Sequence, residues 1–287
     1  MTLSLNNLTF IIVTFKSEDI IYKCIESLPK DSNIIIIENS NNYRFKKELE
    51  ERYSKISVIV QENSGMGAAN NKGIKLCKTQ YAFVINPDVK LYENTIDELI
   101  ALSSRHSDYS ILAPISDNIK YPNYKINNKI IKDYNSDFLN VDSVDGYAML
   151  INKNKFIDDV YFDESFFLYL ENDDLCLKQK KENNKIYVAK KAKVNHLGGK
   201  SHSDIYKKEI EHSRNWHWMW SKFYFNKKHY GYLKALLISL PTLISSMIRF
   251  FYYFATHNNF KKKIYIMRFL GLLNSMFGRK SWKRPQV

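Results

Sequence analysis

The sequence has few of the residues that cross-link or interrupt a fold. Of 287 residues, three are cysteine, nine are glycine and six are proline. The cysteines are scattered without a CxxC spacing, at Cys24, Cys77 and Cys176, which argues against a disulfide framework and against a zinc site. This fits a reducing, cytoplasmic setting. A chain of this length can bury a full core as one large domain, or as one domain with an appendage.

Acidic residues are missing from the last quarter of the chain. Beyond Glu211 there is no Asp or Glu, whereas 14 Lys and Arg residues lie between Arg214 and Arg284. The formal net charge of +13 therefore belongs to this part, and residues 1–211 are close to neutral. We interpret the C-terminal quarter as a cationic extension of a neutral body.

The N-terminus lacks the features of a secretory signal peptide. Residues 8–15 are apolar, but the run is short, no basic region precedes it and no small-residue cleavage site follows it. We read this run as a first strand. Further apolar strands at residues 33–37, 56–60 and 81–85 alternate with helical patterns, which predicts βαβ crossovers and a mostly parallel sheet.

Polar side chains stand at the ends of three of these strands, at Thr14, Glu38 and Asp88. In open α/β sheets this edge is where ligands bind. Pro87 cannot donate to a strand ladder, so the strand stops there and delivers Asp88 just past its end. A carboxylate at this position could hold a divalent cation and, through it, a diphosphate. The alternatives are an Asx-Pro turn for Asp88 and a helix-capping role for Glu38.

The pair Gly65-Met-Gly67 resembles two familiar phosphate-binding loops and matches neither. No Gly-Lys-Ser/Thr sequence closes it as a Walker A loop, and Asn70 stands where the third glycine of GxGxxG would pack helix on strand. A dinucleotide-binding fold also has its glycines before its ribose-binding acid, whereas here Glu38 comes first. The order of these motifs argues against an NAD-dependent enzyme.

A second acidic group, at Glu171, Asp173 and Asp174, lies at the start of a predicted helix, where the helix dipole also favours carboxylates. The aromatic and apolar run at residues 166–169 would exclude water from Glu171 and favour it as a base. His196 precedes a glycine turn and could meet a metal or a phosphate, although a lone histidine is more often structural.

These motifs follow one another in a specific order: Ile11-Ile-Val-Thr-Phe15, Glu38-Asn39-Ser40, Asn63-Ser-Gly-Met-Gly-Ala-Ala-Asn-Asn-Lys-Gly-Ile74, Asn86-Pro87-Asp88, Asp145-Gly-Tyr-Ala-Met-Leu150, Phe162-Asp-Glu-Ser-Phe-Phe-Leu-Tyr-Leu-Glu171 with Asp174-Leu-Cys176, and His196 with Gly198-Gly199. Together they resemble family 2 glycosyltransferases with the GT-A fold, above all the rhamnosyltransferase-like members of bacterial O-antigen and capsule biosynthesis. The resemblance covers about residues 8–205. It implies an α/β, Rossmann-like catalytic domain with a mixed, mostly parallel sheet flanked by helices, followed by a helical, membrane-associating extension at residues 206–287. The catalytic domain would divide into a nucleotide-sugar half at 1–115 and an acceptor half at 116–205.

The resemblance also implies a role for each motif. The donor would contact Thr14, Phe15, Glu38, Asn63, Gly65, Asn70, Asn71, Asn86 and Asp88. The acceptor would contact Asp145, Gly146 and Tyr147. Asn86-Pro87-Asp88 stands in for the DxD motif, so Asp88 would ligate Mg²⁺ or Mn²⁺ on the donor diphosphate, with His196 as a second ligand. The acidic group Glu171, Asp173 and Asp174 would supply the base of an inverting single displacement.

Two positions depart from the pattern of the family. Where many relatives have Glu-Asp, this chain has Glu171-Asn172, and an amide cannot take a proton. Either Glu171 or Asp173 is then expected to act as the base, with Glu171 favoured, or the local register differs. The first acid of the DxD motif is replaced by Asn86, which weakens metal binding by one charge and leaves metal dependence a hypothesis.

The C-terminal extension combines aromatic rings with cations. A helix is predicted at residues 203–228, and residues 235–248 contain no charge. A membrane span needs about 20 apolar residues, and Pro241 and Arg249 count against one. Rings beside Lys and Arg suit an interfacial helix, so we expect peripheral docking of residues 212–287 on an anionic membrane surface, at the cytoplasmic face of the plasma membrane. A single span, a re-entrant hairpin and an oligomer interface are the alternatives.

The sequence thus favours an enzyme that transfers a sugar, foremost rhamnose from dTDP-rhamnose, from a nucleotide-sugar donor to a lipid-linked glycan acceptor. Transfer of another hexose from a UDP-sugar is the runner-up. A basic nucleic-acid-binding protein that uses the aromatic tail is an alternative of another class. It leaves the acids at the strand ends without a role, so we expect no nucleic-acid partner.

Overall fold

A computed structural model describes residues 2–126, 136–198 and 204–286. The chain forms two compact units, the first made of residues 1–163 and 172–203 and the second of residues 164–171 and 204–287. The expected domain boundary at residue 205 stays a prediction. The structure groups residues 164–171 with the C-terminal helices rather than with the sheet.

The strands of the first unit are short and follow the apolar runs of the sequence. They are β1 (Leu8–Thr14), β2 (Asn33–Glu38), β3 (Ile56–Val60), β4 (Tyr81–Ile85), β5 (Val89–Leu91), β6 (Tyr109–Ser116), β7 (Tyr124–Lys125), β8 (Phe138–Asn140), β9 (Ser143–Val144), β10 (Ala148–Asn152) and β11 (Lys185–His196). The helices between them are α1 (Ile21–Glu26), α2 (Tyr43–Arg52), α3 (Met66–Leu76), α4 (Thr95–Arg105) and α5 (Glu171–Lys181), of which α5 has its first residue in the second unit.

One mixed sheet forms the centre of this unit, with the order β3-β2-β1-β4-β10-β6-β11-β5 and with β8 beside β11. Strands β1 to β4 are parallel to one another, as predicted. Strand β10 runs antiparallel between β4 and β6, and β11 is parallel to β6 but antiparallel to β5 and β8. The α/β class with helices flanking a mixed sheet is confirmed, while its parallel character is concentrated in the first half of the chain.

The second half of this unit does not continue the simple alternation of strand and helix. Strands β9 and β10 are separated by residues 145–147, which lie outside the ladder. Strand β11 is long and its ladder with β6 has a register shift between Ala189 and Lys193. The segment 116–140 contains β7 and β8, and its residues 127–135 lie outside the described part of the chain.

A glycine allows helix α3 to pack closely on the sheet. A Cβ atom at Gly73 would lie 2.3 Å from Cγ2 of Ile11, a fully buried residue of β1. In the GxGxxG motif the packing glycine would stand at the position of Asn70. In this chain Gly73, three residues later, packs the helix on the strand. The glycines of this segment therefore serve helix packing as well as the loop before α3.

The second unit contains the helices α6 (Lys207–Tyr230), α7 (Tyr232–Ala255) and α8 (Asn259–Met276). Helix α6 lies where the sequence predicted a helix at 203–228, and α7 covers the uncharged stretch with Pro241 in its interior. Helices α6 and α8 approach closely, since a Cβ atom at Gly271 would lie 2.1 Å from the carbonyl oxygen of Trp216. The core between the helices includes Met219, Phe223, Ala235 and Leu272.

Helix α7 has an inverted distribution of side chains. Its buried residues are the small ones, Ala235, Ser239 and Ser246. Its large apolar side chains are exposed within this structure, for example Leu237 at 70% and Phe251 at 60%. Among the described residues, α7 is the one helix long and apolar enough to cross a membrane, as judged by length and composition. Small residues at helix contacts and large apolar residues outside are typical of helices in lipid.

His217, which the sequence analysis did not single out, is fully buried in α6. Its Nδ1 lies 2.9 Å from Oγ of Ser281 and its Nε2 lies 2.7 Å from the carbonyl oxygen of Lys283, while its ring stacks on Phe167. Burial lowers the pKa of His217 to about 3. The neutral imidazole therefore connects the C-terminal segment to the helices.

We expect Gly73→Ala to destabilise the first unit by about 1–3 kcal/mol, because the added methyl group overpacks against Ile11. Urea unfolding followed by far-UV circular dichroism measures this change. Lys75→Ala, on the exposed face of the same helix, is the matched control and should stay within about 0.5 kcal/mol of the wild type. An unchanged midpoint in Gly73→Ala would show that Ile11 can move aside at no cost.

We expect the second unit to lose stability as the pH falls from about 6.5 toward 3. The folded state prefers the neutral form of His217. The contribution of this residue to the free energy of unfolding is therefore complete above the ordinary histidine pKa, and below that pKa it decreases by up to about 1.4 kcal/mol per pH unit. All four tryptophans lie in this unit, so tryptophan fluorescence during thermal melting reports on it selectively. His217→Gln should flatten this pH dependence, whereas His257→Gln, at an exposed position, should leave it unchanged.

Candidate functional site

The parallel strands bring the polar strand ends to one edge of the sheet. Thr14 and Glu38 are directly paired at the ends of β1 and β2. Asp88 follows the end of β4, which pairs with the other side of β1. All three side chains are buried. The ends of β1, β2 and β4 therefore place these three residues along one edge of the sheet in the first unit.

Asp88 is positioned by the turn that ends β4. The amide N–H of Val89 donates to the carbonyl oxygen of Asn86 at 3.1 Å, which closes a tight turn around Pro87. The chain then returns as β5, which pairs antiparallel with the end of β11, so that His196 stands opposite Val89. This pairing brings Nε2 of His196 to 3.5 Å from Oδ1 of Asp88.

The pair of Asp88 and His196 has the chemistry of a partial metal site. Oδ1 of Asp88 is buried and has no hydrogen-bond partner among the described residues, and the imidazole of His196 stacks on Tyr147 with ring centroids 4.0 Å apart. Oδ1 of Asp88 and Nε2 of His196 could bind one divalent cation. Within residues 2–126, 136–198 and 204–286 no group of three His, Cys, Asp or Glu forms a metal site. The predicted turn after His196 continues to Gly199, which lies outside the described residues.

Glu38 is engaged by the turn that follows its strand. Its Oε1 accepts hydrogen bonds from the backbone N–H, at 2.9 Å, and from the hydroxyl of Ser40, and its Oε2 accepts from the N–H of Asn42 at 2.7 Å. These hydrogen bonds order the turn between β2 and α2, whereas α2 itself is capped by the side chain of Asn42, so Glu38 is not the helix cap given as the alternative. Neighbouring Thr14 has a buried hydroxyl without a hydrogen-bond partner in the described chain, and Phe15 is half-buried beside it. Contacts of these residues with a nucleotide stay predictions.

The loop before α3 is ordered by its own side chains. Gly65 has a φ of 93°, a conformation that favours glycine, and its N–H donates to Oδ1 of Asn63 at 3.1 Å. Asn70 is buried, and the amide of Asn71 exchanges two hydrogen bonds, of 2.8 and 2.9 Å, with the backbone of Phe162. Asn71 thus has a structural role that the sequence did not indicate, while donor contacts in this loop stay predictions.

Residues 145–147 form a pinned loop between β9 and β10. The N–H of Asp145 donates to the carbonyl oxygen of Asn123 at 2.8 Å, and the carbonyl oxygen of Tyr147 accepts from the N–H of Asn86 at 2.9 Å. A Cβ atom at Gly146 would lie 3.3 Å from Cβ of Asn172. The predicted acceptor residues are therefore held between the Asn86 turn and the first turn of α5.

The acidic residues of the first turn of α5 have different surroundings. Glu171 is 8% exposed and belongs to the second unit, and Asp174 is 2% exposed. Both carboxylate oxygens of Asp173 lie 2.8 Å from Nζ of Lys125, a residue of β7 that the sequence analysis missed. The side chain of Asn172 donates to the carbonyl oxygen of Val144 at 2.8 Å. The structure thus places an amide, not a carboxylate, beside the Gly146 loop.

The segment before α5 is strained. Tyr169 and Leu170 both have positive φ values, 71° and 66°, which cost of order 1–3 kcal/mol each for non-glycine residues. Contacts within the second unit hold them, since Tyr169 packs edge-on against Trp218 and the carbonyl oxygen of Leu168 accepts from the hydroxyl of Ser221 at 2.8 Å. No glycine marks these two positions, so the sequence offered no signal for this conformation.

Comparison with known proteins adds family information to this geometry. The model of the family "Glycosyl transferase family 2" matches residues 9–170, more than half of the chain. A relative from Haloferax volcanii, the low-salt glycan biosynthesis hexosyltransferase Agl10, is 25% identical over 199 residues, which are 62% of this chain and 63% of that protein. The chain thus spans less than two thirds of the length of this relative.

Two solved structures share the fold. GalNAc-T7 with UDP, GalNAc and Mn²⁺ matches with a TM-score of 0.56 and 15% identity, over 74% of this chain and 51% of that one. The S. aureus protein TarS 1–349 in complex with UDP matches with a TM-score of 0.51 and 14% identity, over 95% of this chain and 92% of that one. At these identities the likeness concerns the fold.

Proposed function

The chain belongs to glycosyl transferase family 2, and from this membership we propose that it transfers a sugar from a nucleotide-sugar donor to an acceptor hydroxyl with inversion at the anomeric carbon. The observation that carries the proposal is the pair of Asp88 and His196 at the edge of the sheet, 3.5 Å apart, with a buried carboxylate oxygen that lacks a hydrogen-bond partner among the described residues. A buried polar atom without a partner is costly unless a ligand completes it.

The donor would lie along this edge. Its diphosphate would stand at Asp88, and its nucleoside would extend toward Thr14, Phe15, Glu38 and the loop that contains Asn63, Gly65, Asn70 and Asn71. A divalent cation, Mg²⁺ or Mn²⁺, held by Asp88 and His196 would neutralise charge on the leaving diphosphate. The structure of GalNAc-T7, which was solved with UDP and Mn²⁺, supports this choice of ligands. Asn86 supplies no charge here, so Asp88 carries the electrostatic part of the site.

The acceptor would approach from the loop at Asp145, Gly146 and Tyr147. We propose a lipid-linked glycan as the acceptor, in the assembly of a bacterial surface polysaccharide. The relative Agl10 is described as a hexosyltransferase of glycan biosynthesis, which supports a glycan as the acceptor class. For the donor we propose dTDP-rhamnose, on the resemblance described above, with a UDP-hexose as second candidate because two structures of this fold were solved with UDP.

Features of the second unit support association with a membrane. The exposed large side chains of α7 form an apolar face. Close to the α7–α8 connection, cations stand next to aromatic rings: Arg249 donates to the hydroxyl of Tyr265 at 2.8 Å, Lys261 stands over Tyr253 and Lys262 over Phe254. Apolar surface flanked by rings and cations suits the interface of an anionic bilayer. We therefore propose that residues 212–287 associate peripherally with the cytoplasmic face of the plasma membrane.

The first experiment tests the donor site. Asp88→Asn keeps the shape of the side chain and removes its charge, and we expect it to lower donor turnover about 100-fold or more, because several kcal/mol of charge stabilisation at the diphosphate are lost. The assay is release of nucleoside diphosphate from dTDP-rhamnose, UDP-glucose, UDP-galactose and GDP-mannose with Mn²⁺. Calorimetric titration with Mn²⁺ and the matching nucleoside diphosphate should show weakened binding in parallel.

Asp97 is an exposed carboxylate in the first turn of α4. The variant Asp97→Asn is therefore the control for a change of charge alone, and its donor turnover should match that of the wild type. Turnover by Asp88→Asn at the wild-type rate would contradict the assigned site. A wild type that binds none of the four donors would contradict the proposed function for these nucleotides.

The second experiment tests the membrane surface. The double variant Leu237→Ser/Phe251→Ser removes two side chains that are at least 60% exposed in the structure. Burial of each such side chain is worth about 1.5–3 kcal/mol, so we expect at least tenfold weaker flotation of the full chain with vesicles of phosphatidylcholine and phosphatidylglycerol. Ile119→Ser, 93% exposed in the first unit, is the matched control and should float like the wild type.

Two results would contradict this membrane proposal. Flotation of the double variant equal to the wild type would exclude α7 as the lipid contact. Loss of self-association in the double variant without any loss of flotation would favour the oligomer interface instead.

A further inference from the structure

The proposed transfer needs a group that accepts the proton of the acceptor hydroxyl, and Asn172 cannot be that group. Where many relatives have Asp, this chain has the amide of Asn172, which donates to the carbonyl oxygen of Val144 at 2.8 Å. An amide side chain does not take up a proton at ordinary pH. Another carboxylate must therefore accept the proton of the acceptor hydroxyl if the transfer uses a protein base.

The carboxylates that follow Asn172 in α5 are committed elsewhere. Both oxygens of Asp173 are 2.8 Å from Nζ of Lys125, so this carboxylate is already engaged in an ion pair. Asp174 is only 2% exposed and sits next to Leu175 and Cys176, which belong to the apolar core of the unit. A base has to reach an incoming hydroxyl, and neither side chain offers a free, accessible carboxylate for that purpose.

Glu171, which the sequence favoured as the base, is only 8% exposed and belongs to the second unit. Asp145 meets the requirement of an accessible carboxylate better than these residues do. It is half-buried, and no hydrogen bond or ion pair joins its carboxylate to another group in the described parts of the chain. Its neighbours on both sides lie close to Asn172: the carbonyl oxygen of Val144 accepts from the amide of Asn172, and a Cβ atom at Gly146 would lie 3.3 Å from Cβ of Asn172. Asp145 is therefore a carboxylate of the loop that faces the amide.

The charges that act on Asp145 come from two parts of the site. Burial raises the pKa of Asp145, and the nearby charge of Asp173 raises it further, while Lys125 and His196 lower it. The carboxyl group thus lies within electrostatic reach of both the first turn of α5 and the end of β11. The end of β11 is where His196 meets Asp88.

The backbone holds Asp145 in a defined position. Its own N–H donates a hydrogen bond to the carbonyl oxygen of Asn123. Two residues later, the carbonyl oxygen of Tyr147 accepts a hydrogen bond from the N–H of Asn86. The ring of Tyr147 in turn stacks on His196. A catalytic group whose backbone is held on both sides by hydrogen bonds needs little reorganisation when the acceptor arrives.

We propose that Asp145 is the general base of this enzyme and replaces the carboxylate that Asn172 lacks. The proton of the acceptor O–H moves to Asp145 while the acceptor oxygen forms a bond with the anomeric carbon of the sugar. The bond between that carbon and the diphosphate oxygen breaks, and the nucleoside diphosphate leaves with the electron pair. The inference rests on the proposed glycosyltransferase function and adds the identity of the base.

The test compares carboxylate-to-amide variants with water as the acceptor, since the natural acceptor is not needed for that reaction. The probe is hydrolysis of the nucleotide sugar that the wild type turns over fastest among dTDP-rhamnose, UDP-glucose, UDP-galactose and GDP-mannose. Asp145→Asn should lower the hydrolysis rate about 100-fold or more. Its dissociation constant for the matching nucleoside diphosphate with Mn²⁺ should stay within about twofold of the wild type, because Asp145 is not part of the proposed donor site.

A second variant returns the carboxylate to the neighbouring position. Asp145→Asn/Asn172→Asp should recover at least tenfold of the lost rate, because the restored carboxylate stands beside Gly146. This recovery distinguishes a missing base from a distorted loop, which Asn172→Asp would not repair. Asp97→Asn serves as the control for a change of charge on the surface.

Three results would overturn the proposal. They are hydrolysis by Asp145→Asn at the wild-type rate, a loss of nucleotide binding that accounts for its slower reaction, and a larger rate loss in Glu171→Gln or Asp173→Asn than in Asp145→Asn. Absence of recovery in the double variant would overturn the claim that positions 145 and 172 serve the same hydroxyl. A wild type that binds and hydrolyses none of the donors would instead refute the proposed function.

Discussion

The geometry of the candidate site depends on the end of strand β4, which cannot be extended through Pro87. Because Pro87 has no N–H, strand β4 cannot continue, and the chain turns back at once into β5. The short strand β5 then finds its partner in the distant strand β11, and that pairing brings His196 to Asp88. A carboxylate and an imidazole more than a hundred positions apart thus become neighbours because one proline interrupts one strand.

The two units use opposite packing rules. In the first unit the large apolar side chains are inside, on both faces of the sheet, and the glycine at residue 73 lets a helix approach it. In the second unit, α7 packs through small residues and presents its large side chains outward. The first arrangement is stable in water because it hides apolar surface. The second makes physical sense where the surroundings are themselves apolar.

Local patterns predicted the first half of the fold well. Strands β1 to β4 and the helices between them lie within a few residues of the predicted runs, because each is a contiguous apolar or periodic segment bounded by turn residues. The second half of the sheet does not follow from local patterns in this way. There β10 enters between two strands that are distant in sequence, and β11 is one strand whose ladder with β6 is interrupted by a register shift. No local periodicity encodes such pairings, which depend on which sheet edge is available.

The same distinction applies to the site. Asn71 is predicted to contact the donor, and in the fold its amide also forms hydrogen bonds with the backbone of Phe162, 91 positions away. Glu38 is predicted to contact the donor as well, and in the fold its carboxylate also orders the turn that follows it. Hydrogen-bond partners of this kind are set by three-dimensional proximity. A sequence motif indicates which polar groups are present and leaves their partners open.

The sequence by itself carried the resemblance to the family. It also determined the alternation of strands and helices, the polar residues at the strand ends and the cationic, aromatic character of the last quarter, since these follow from residue type and local spacing. Only the tertiary structure decided that His196 meets Asp88, that Asn172 faces the Gly146 loop, and that α7 turns its small residues inward. The physical reason is that contacts between distant segments depend on sheet order and on which surfaces find a partner. Neither property is carried by any single stretch of the chain.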